Sequence, residues 1–126
     1  MEKRRSKVPL KVELEPEKPM EKVEDLLDLV FWKEPSLTDE AIEFLRHVKE
    51  WGRTDSPFRA EDWDNYCART GMSQGKYHNM LRRLKKAGMI EKTYNESIKE
   101  HEIRISDKFS FYLSRMSRLW DGFCSR

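Results

Sequence analysis

Cysteine is nearly absent from this chain, and the two that occur, Cys67 and Cys124, stand far apart with no CxxC spacing anywhere. That arrangement supports neither a disulfide framework nor a zinc knuckle, and a reduced intracellular compartment is the simplest expectation. Long hydrophobic runs are missing too. No apolar stretch approaches the roughly eighteen residues of a membrane span, and the opening MEKRRSKVPLK is charged without a hydrophobic h-region, so neither a span nor a secretory signal is expected. The expectation is a cytoplasmic protein with no membrane partner. Glutamine appears once while Lys, Glu and Arg abound, a bias expected of a thermophile. No Ser-His-Asp, Walker or paired-carboxylate pattern is present, so the sequence predicts no enzyme. His47, His78, His101, Cys67 and Cys124 share no spacing that sets two ligands on one metal, so neither metal nor cofactor is expected.

Charge is what the chain has in quantity. Charged residues make up 38% of it against 37% hydrophobic, for a net charge of only +2. Over 126 residues this fits one domain of modest core plus an arm. The distribution says more than the total. Residues 1–12 carry five bases and one acid, whereas residues 13–50 carry twelve acids and five bases. Residues 73–92 then hold six bases against Glu91 alone, and residues 104–126 return to a small positive excess.

Residues 1–20, with three of the five prolines and mixed charge, read as a flexible arm, leaving residues 21–126 as the folded domain. From Glu21 to Trp32, Val23, Leu26, Leu27, Val30 and Phe31 recur at helical spacing until Glu34-Pro35 breaks the pattern. Thr38 is the expected N-cap of a second helix, with Ile42, Phe44, Leu45 and Val48 on its apolar side and Gly52 at its end. After the loop RTDSPF, in which Phe58 marks a very short strand, a third helix runs from about Ala60. It carries Trp63, Tyr66 and Cys67 on one side and stops at Gly71.

The stretch GMSQGKYHNMLRRLKKAGMIEK, residues 71–92, then offers Ser73 as a cap and Tyr77, Met80, Leu81 and Leu84 at core spacing. Gln74, Lys76, His78, Asn79, Arg82, Arg83 and Lys86 are left facing outward. Gly88 ends this fourth helix, and MIEKTY and HEIRIS alternate around the connection NESIKE as a β-hairpin. A last helix, residues 107–123, starts at Ser106 or Asp107 and carries a large apolar stripe of Phe109, Tyr112, Leu113, Met116, Trp120 and Phe123. The fold class is therefore mainly α with a small β-hairpin.

Helix, helix, tight turn, basic helix, hairpin and helix in that order resembles the winged helix-turn-helix domain, with extra N- and C-terminal helices. The likeness spans residues 38–106. It rests on small Cys67 facing the turn, Gly71 within it, Met72 and Tyr77 locking the two helices, and LRRLKKAGMIEK, which is similar to the LxxLxxxGLI ending of the recognition helix in MarR-like and ArsR-like transcription regulators. The resemblance implies binding to double-stranded DNA. Gln74, Lys76, His78 and Asn79 would point at base edges, Arg82, Arg83 and Lys86 would lie along the backbone, and Lys99 would be the cation of the wing.

The apolar stripe of the last helix exceeds what so small a domain covers, so a homodimer sealed by Phe109, Tyr112, Leu113, Met116, Trp120 and Phe123 is expected. The alternative for that stripe is packing back onto the first helix within one subunit. The function expected is a small dimeric transcription regulator that binds DNA sequence-specifically. The alternative is a winged-helix interaction module of a replication or transcription assembly, meeting a protein partner through its acidic N-terminal helices.

Overall fold

The computed structural model describes residues 20–54 and 57–125. Most of the expected arm, residues 1–19, lies outside the described residues. The chain is mostly helical with one small two-stranded antiparallel sheet.

Helix α1 spans Val23–Val30 and is opened by an acid: Asp25 Oδ2 accepts the backbone N–H groups of Glu21 at 2.9 Å and Lys22 at 3.0 Å. Leu27, Val30 and the following Phe31 are fully buried. The helix is shorter than its periodicity suggests, because the Glu34 N–H turns back onto the Phe31 carbonyl at 2.9 Å ahead of Pro35. Helix α2, Leu37–Trp51, begins after Ser36 and not after Thr38. The turn around Pro35 does the capping through main chain, with Leu37 N–H on the Glu34 carbonyl and Thr38 N–H on the Pro35 carbonyl. Thr38 is buried inside the helix, where its hydroxyl donates to Asp28 Oδ1 at 2.9 Å and ties α2 to α1.

Phe44 on α2 is the hub of the core. Its ring meets Phe58, Tyr66 and Tyr77 at centroid distances of 5.6, 5.3 and 5.7 Å, each nearly perpendicular, the arrangement that sets a positive ring edge on a negative face. Tyr66 lies on α3, Trp63–Thr70, which follows one 3-10 turn at Ala60–Asp62. Tyr77 lies on α4, Gln74–Ala87. One aromatic cluster thus fixes the angle between these helices across the turn.

Both turn glycines are there for the sign of φ, which is +78° at Gly71 and +84° at Gly88. At Gly88 space matters as well, since a Cβ would meet Lys108 Cβ, Phe109 N and Tyr112 Cε2, each at 3.0 Å. Strands β1, Ile90–Asn95, and β2, Glu100–Ile105, pair antiparallel with Ile90 opposite Ile105 and Lys92 opposite Ile103. The short strand expected at Phe58 is a single rung on the far side of β2. Ile103 N–H donates to the Phe58 carbonyl at 2.9 Å, and Arg59 pairs with Glu102.

Among the described residues, helix α5, Lys108–Cys124, meets the others only through its first turns. Phe109 is buried and Leu113 packs partly against the core, but Tyr112, Met116, Trp120 and Phe123 are exposed. The alternative of packing back along α1 within one subunit is therefore not what the chain does, because beyond Leu113 every described residue of α5 faces solvent.

Candidate nucleic-acid interface

An α-helix advances about 100° per residue, so the buried Tyr77, Met80, Leu84 and Ala87 fix which side of α4 is inward. Directly opposite lie Gly75, Arg82 and Lys86. Gln74, His78 and Lys85 fall on the flank toward α3 and the sheet, and Lys76, Asn79 and Arg83 on the flank toward α1 and α2. Ser73 starts this helix by accepting the Lys76 backbone N–H at 3.2 Å.

The second flank is engaged inside the molecule. Lys76 Nζ lies 3.3 Å from Glu40 on α2, and Asn79 Nδ2 donates to the carboxylate of Glu34 in the α1–α2 turn. Arg83 Nη1 donates to the Val30 carbonyl at 3.3 Å, at the end of α1 where backbone oxygens lack helical partners and the helix dipole is negative. Lys76 and Arg83, expected to face freely outward, thus brace α4 against the first two helices, and Arg83 is half-buried. Asn79 also accepts from Arg82 Nη2 at 2.8 Å, so Glu34, Asn79 and Arg82 form a chain that leads from the acidic turn to the exposed crest.

The first flank opens into a groove. Trp63 from α3, Leu81 and Ile103 line it, and its rim carries His78, Arg82, Lys85 and Lys86 from α4 and Lys92 from β1, with Glu61 as its acid. The His78 ring stands edge-on to Trp63 at 5.4 Å, and its Nδ1 lies 3.0 Å from the Gln74 carbonyl, which orients the ring along the helix. Among the described residues, Lys85, Lys86 and Lys92 enter no ion pair. Lys85 and Lys92 were not among the residues expected to bind. Lys92 is brought there by strand register: it shares a sheet face with buried Ile90 and Ile103, so it projects over the groove floor. The alternation in MIEKTY held that signal.

Farther out on this sheet face Tyr94 and His101 pair at 5.3 Å, with Tyr94 half-exposed. Lys99 is exposed at the hairpin turn in the left-handed region, φ +56°, its N–H on the Asn95 carbonyl at 2.7 Å. Asn95 Oδ1 shapes the same turn by accepting from Ser97 and Ile98 N–H. On the hairpin's other face buried Glu102 is held by Asn95 Nδ2 at 2.9 Å and Arg104 at 3.6 Å.

Four titratable groups in or beside the aromatic cluster are shifted, and burial raises the Tyr66 and Tyr77 phenols. Burial, and secondarily Arg69, lowers the His47 pKa from its ordinary value. Burial raises that of the Cys67 thiol, with Asp64 adding to it, which leaves a thiol ill-suited to reaction. Among the described residues no three His, Cys, Asp or Glu side chains gather around a point that a metal could occupy, and no helix is long and apolar enough to cross a membrane.

The chain belongs to an archaeal family whose profile matches residues 18–124. Neither the curated proteins nor the solved structures contain a significant match to it.

Proposed function

We propose that this protein binds double-stranded DNA as a winged helix-turn-helix, through α4 and the groove beside it, and acts as a small transcription regulator working in two-fold pairs. The observation that carries the reading is the set Arg82, Lys85, Lys86 and Lys92, three cations along one edge of α4 and a fourth beside them on β1, with Glu61 as the groove's acid. Cations so placed can replace the counterions of a phosphate backbone. Helix α4 follows α3 through the Gly71 turn and leads directly into the hairpin, the order that lets a helix enter the major groove while a hairpin reaches the adjacent backbone.

Within this reading Gln74 and His78, at the start of α4, meet base edges, and Asn79 joins them by exchanging Glu34 for a base. Arg82, Lys85, Lys86 and Lys92 follow the backbone, and Lys99 with Tyr94 and His101 forms the wing contact. Lys76 and Arg83 hold α4 in place. The rival, a protein-interaction module acting through acidic α1 and α2, is weakened by where those acids already point: Glu24 lies 3.7 Å from Arg46, Glu40 pairs with Lys76, and Glu34 holds Asn79.

Fluorescence anisotropy of a labelled duplex tests the proposal. Arg82→Ala, Lys85→Ala and Lys92→Ala combined should weaken binding at least tenfold in a protein whose circular dichroism is unchanged. Undiminished binding would remove the groove from the interface.

A further inference from the structure

Helix α5 carries an asymmetry that its exposure alone does not explain. Lys108, Phe109 and Tyr112 lie against Gly88, and Leu113 packs on the core. At about 100° per residue these four positions share one face with Met116, Leu119, Trp120 and Phe123. The body of the protein therefore sits on the proximal half of a stripe whose distal half is bare: Met116 is 48%, Leu119 69%, Trp120 62% and Phe123 72% exposed. Trp120 and Phe123 stack on each other at 5.4 Å, as one aromatic plate. Leu119 was not part of the stripe expected from sequence.

The bare positions follow one another at steps of three, one and three residues, an order that reads the same from either end. We propose that residues 114–124 of α5 pair antiparallel with the same segment of a second copy. Met116 then lies against the partner's Phe123, and Leu119 against the partner's Trp120, with the two-fold axis between positions 119 and 120. A parallel pair is disfavoured by the placement of the body. Seated on the stripe at the start of each helix, both bodies would stand between the helices at the same end and hold them apart. In the antiparallel pair the bodies lie at opposite ends, and each helix tip stops beside the partner's Tyr112. Arg115, on the border of the stripe, then faces the last turn of the partner helix, whose free carbonyls favour a cation.

The area is sufficient. Four half- to three-quarters-exposed large side chains, three of them aromatic or of leucine size, leave on the order of 500 Å² per copy. Two copies then bury about 1,000 Å², the lower limit of a specific interface. An interface of that size belongs with weak, concentration-dependent association. The proposal deepens the two-fold assembly of the preceding reading but does not depend on duplex binding, so it is tested without DNA.

In a Cys124→Ser background, Met116→Cys and Phe123→Cys are prepared separately, then mixed and mildly oxidised, with buried Cys67 as an internal control. Antiparallel pairing predicts that disulfides between the unlike variants exceed those between like variants several-fold. Sedimentation of the unmodified protein should show dimer growing with concentration, and Met116→Asp with Trp120→Asp should give a monomer with unchanged helical circular dichroism. Preferential like-with-like disulfides would overturn the antiparallel register. An unmodified protein that stays monomeric throughout the micromolar range would overturn the pairing itself.

Discussion

Arg83 reaches from α4 to the last carbonyl of α1, its Nη1 3.3 Å from Val30 O across 53 positions of sequence. A basic residue within a basic run is thereby turned into a brace between helices. Arg83→Ala should lower stability by about 1 to 2 kcal/mol, as expected for a partly shielded hydrogen bond from a charged donor. It should leave the salt dependence of duplex binding close to that of the unmodified protein. Arg82→Ala, one position earlier, should do the reverse, with little change in melting temperature and a salt slope reduced by about 0.9. Equal loss of salt slope in the two variants would return Arg83 to the interface.

Glu34 holds Asn79, and Asn79 holds Arg82, so the acidic turn competes with any acceptor that α4 meets. Glu34→Ala should therefore raise duplex affinity several-fold, by freeing the Asn79 amide and removing a negative charge beside the crest. Adding Asn79→Ala should remove the base contact itself, worth about 1 to 3 kcal/mol at the preferred site and little on a scrambled duplex. Titrating one preferred and one scrambled duplex measures both effects. If Glu34→Ala leaves affinity unchanged, Asn79 stays with its own chain when DNA is bound and does not read a base.

His47 sits against Trp51, Phe58 and Tyr66, with Arg69 Nη2 at 3.5 Å from its Nδ1. Burial first and Arg69 second disfavour the imidazolium, so its pKa in the folded chain lies below the unfolded value of 6.5. The unfolded chain then takes up the proton more readily than the folded one. The neutral ring's contribution to stability is complete above about pH 6.5 and is lost as the pH falls through the folded pKa. Thermal melts from neutral pH to about pH 5 should show this decline, and His47→Phe should flatten it. In Arg69→Gln the His47 ring should titrate at higher pH by NMR. A ring that titrates at or above its ordinary value would contradict the assignment.

What the sequence made legible was local. Ser73 as a cap, Gly71 and Gly88 as left-handed stops and the spacing of Tyr77, Met80 and Leu84 depend on neighbours within a turn or two, and α4 and the hairpin fall where they point. Thr38 misled because its capping signal competes with a turn at Pro35 that satisfies the same N–H groups through main chain, freeing the hydroxyl for Asp28. The outer face of α4 was legible only in part. Lys76 and Arg83 look free until their partners, 36 and 53 residues away, are in place. Lys92 joined the site through strand register, which a run of basic residues does not announce. The last helix showed its apolar stripe plainly, but that its first half is taken by its own body is a tertiary fact.

The salt dependence of binding to duplex DNA tests the central claim most directly. Four phosphate contacts, from Arg82, Lys85, Lys86 and Lys92, predict that the logarithm of the association constant falls with the logarithm of salt concentration at a slope of about −3 to −4 per subunit, near 0.9 for each contact. The slope should lose most of its value, keeping only what Lys99 of the wing contributes, when all four are alanine in a folded protein. A protein that does not bind duplex at low salt, or one whose slope is the same with and without these four side chains, would contradict it.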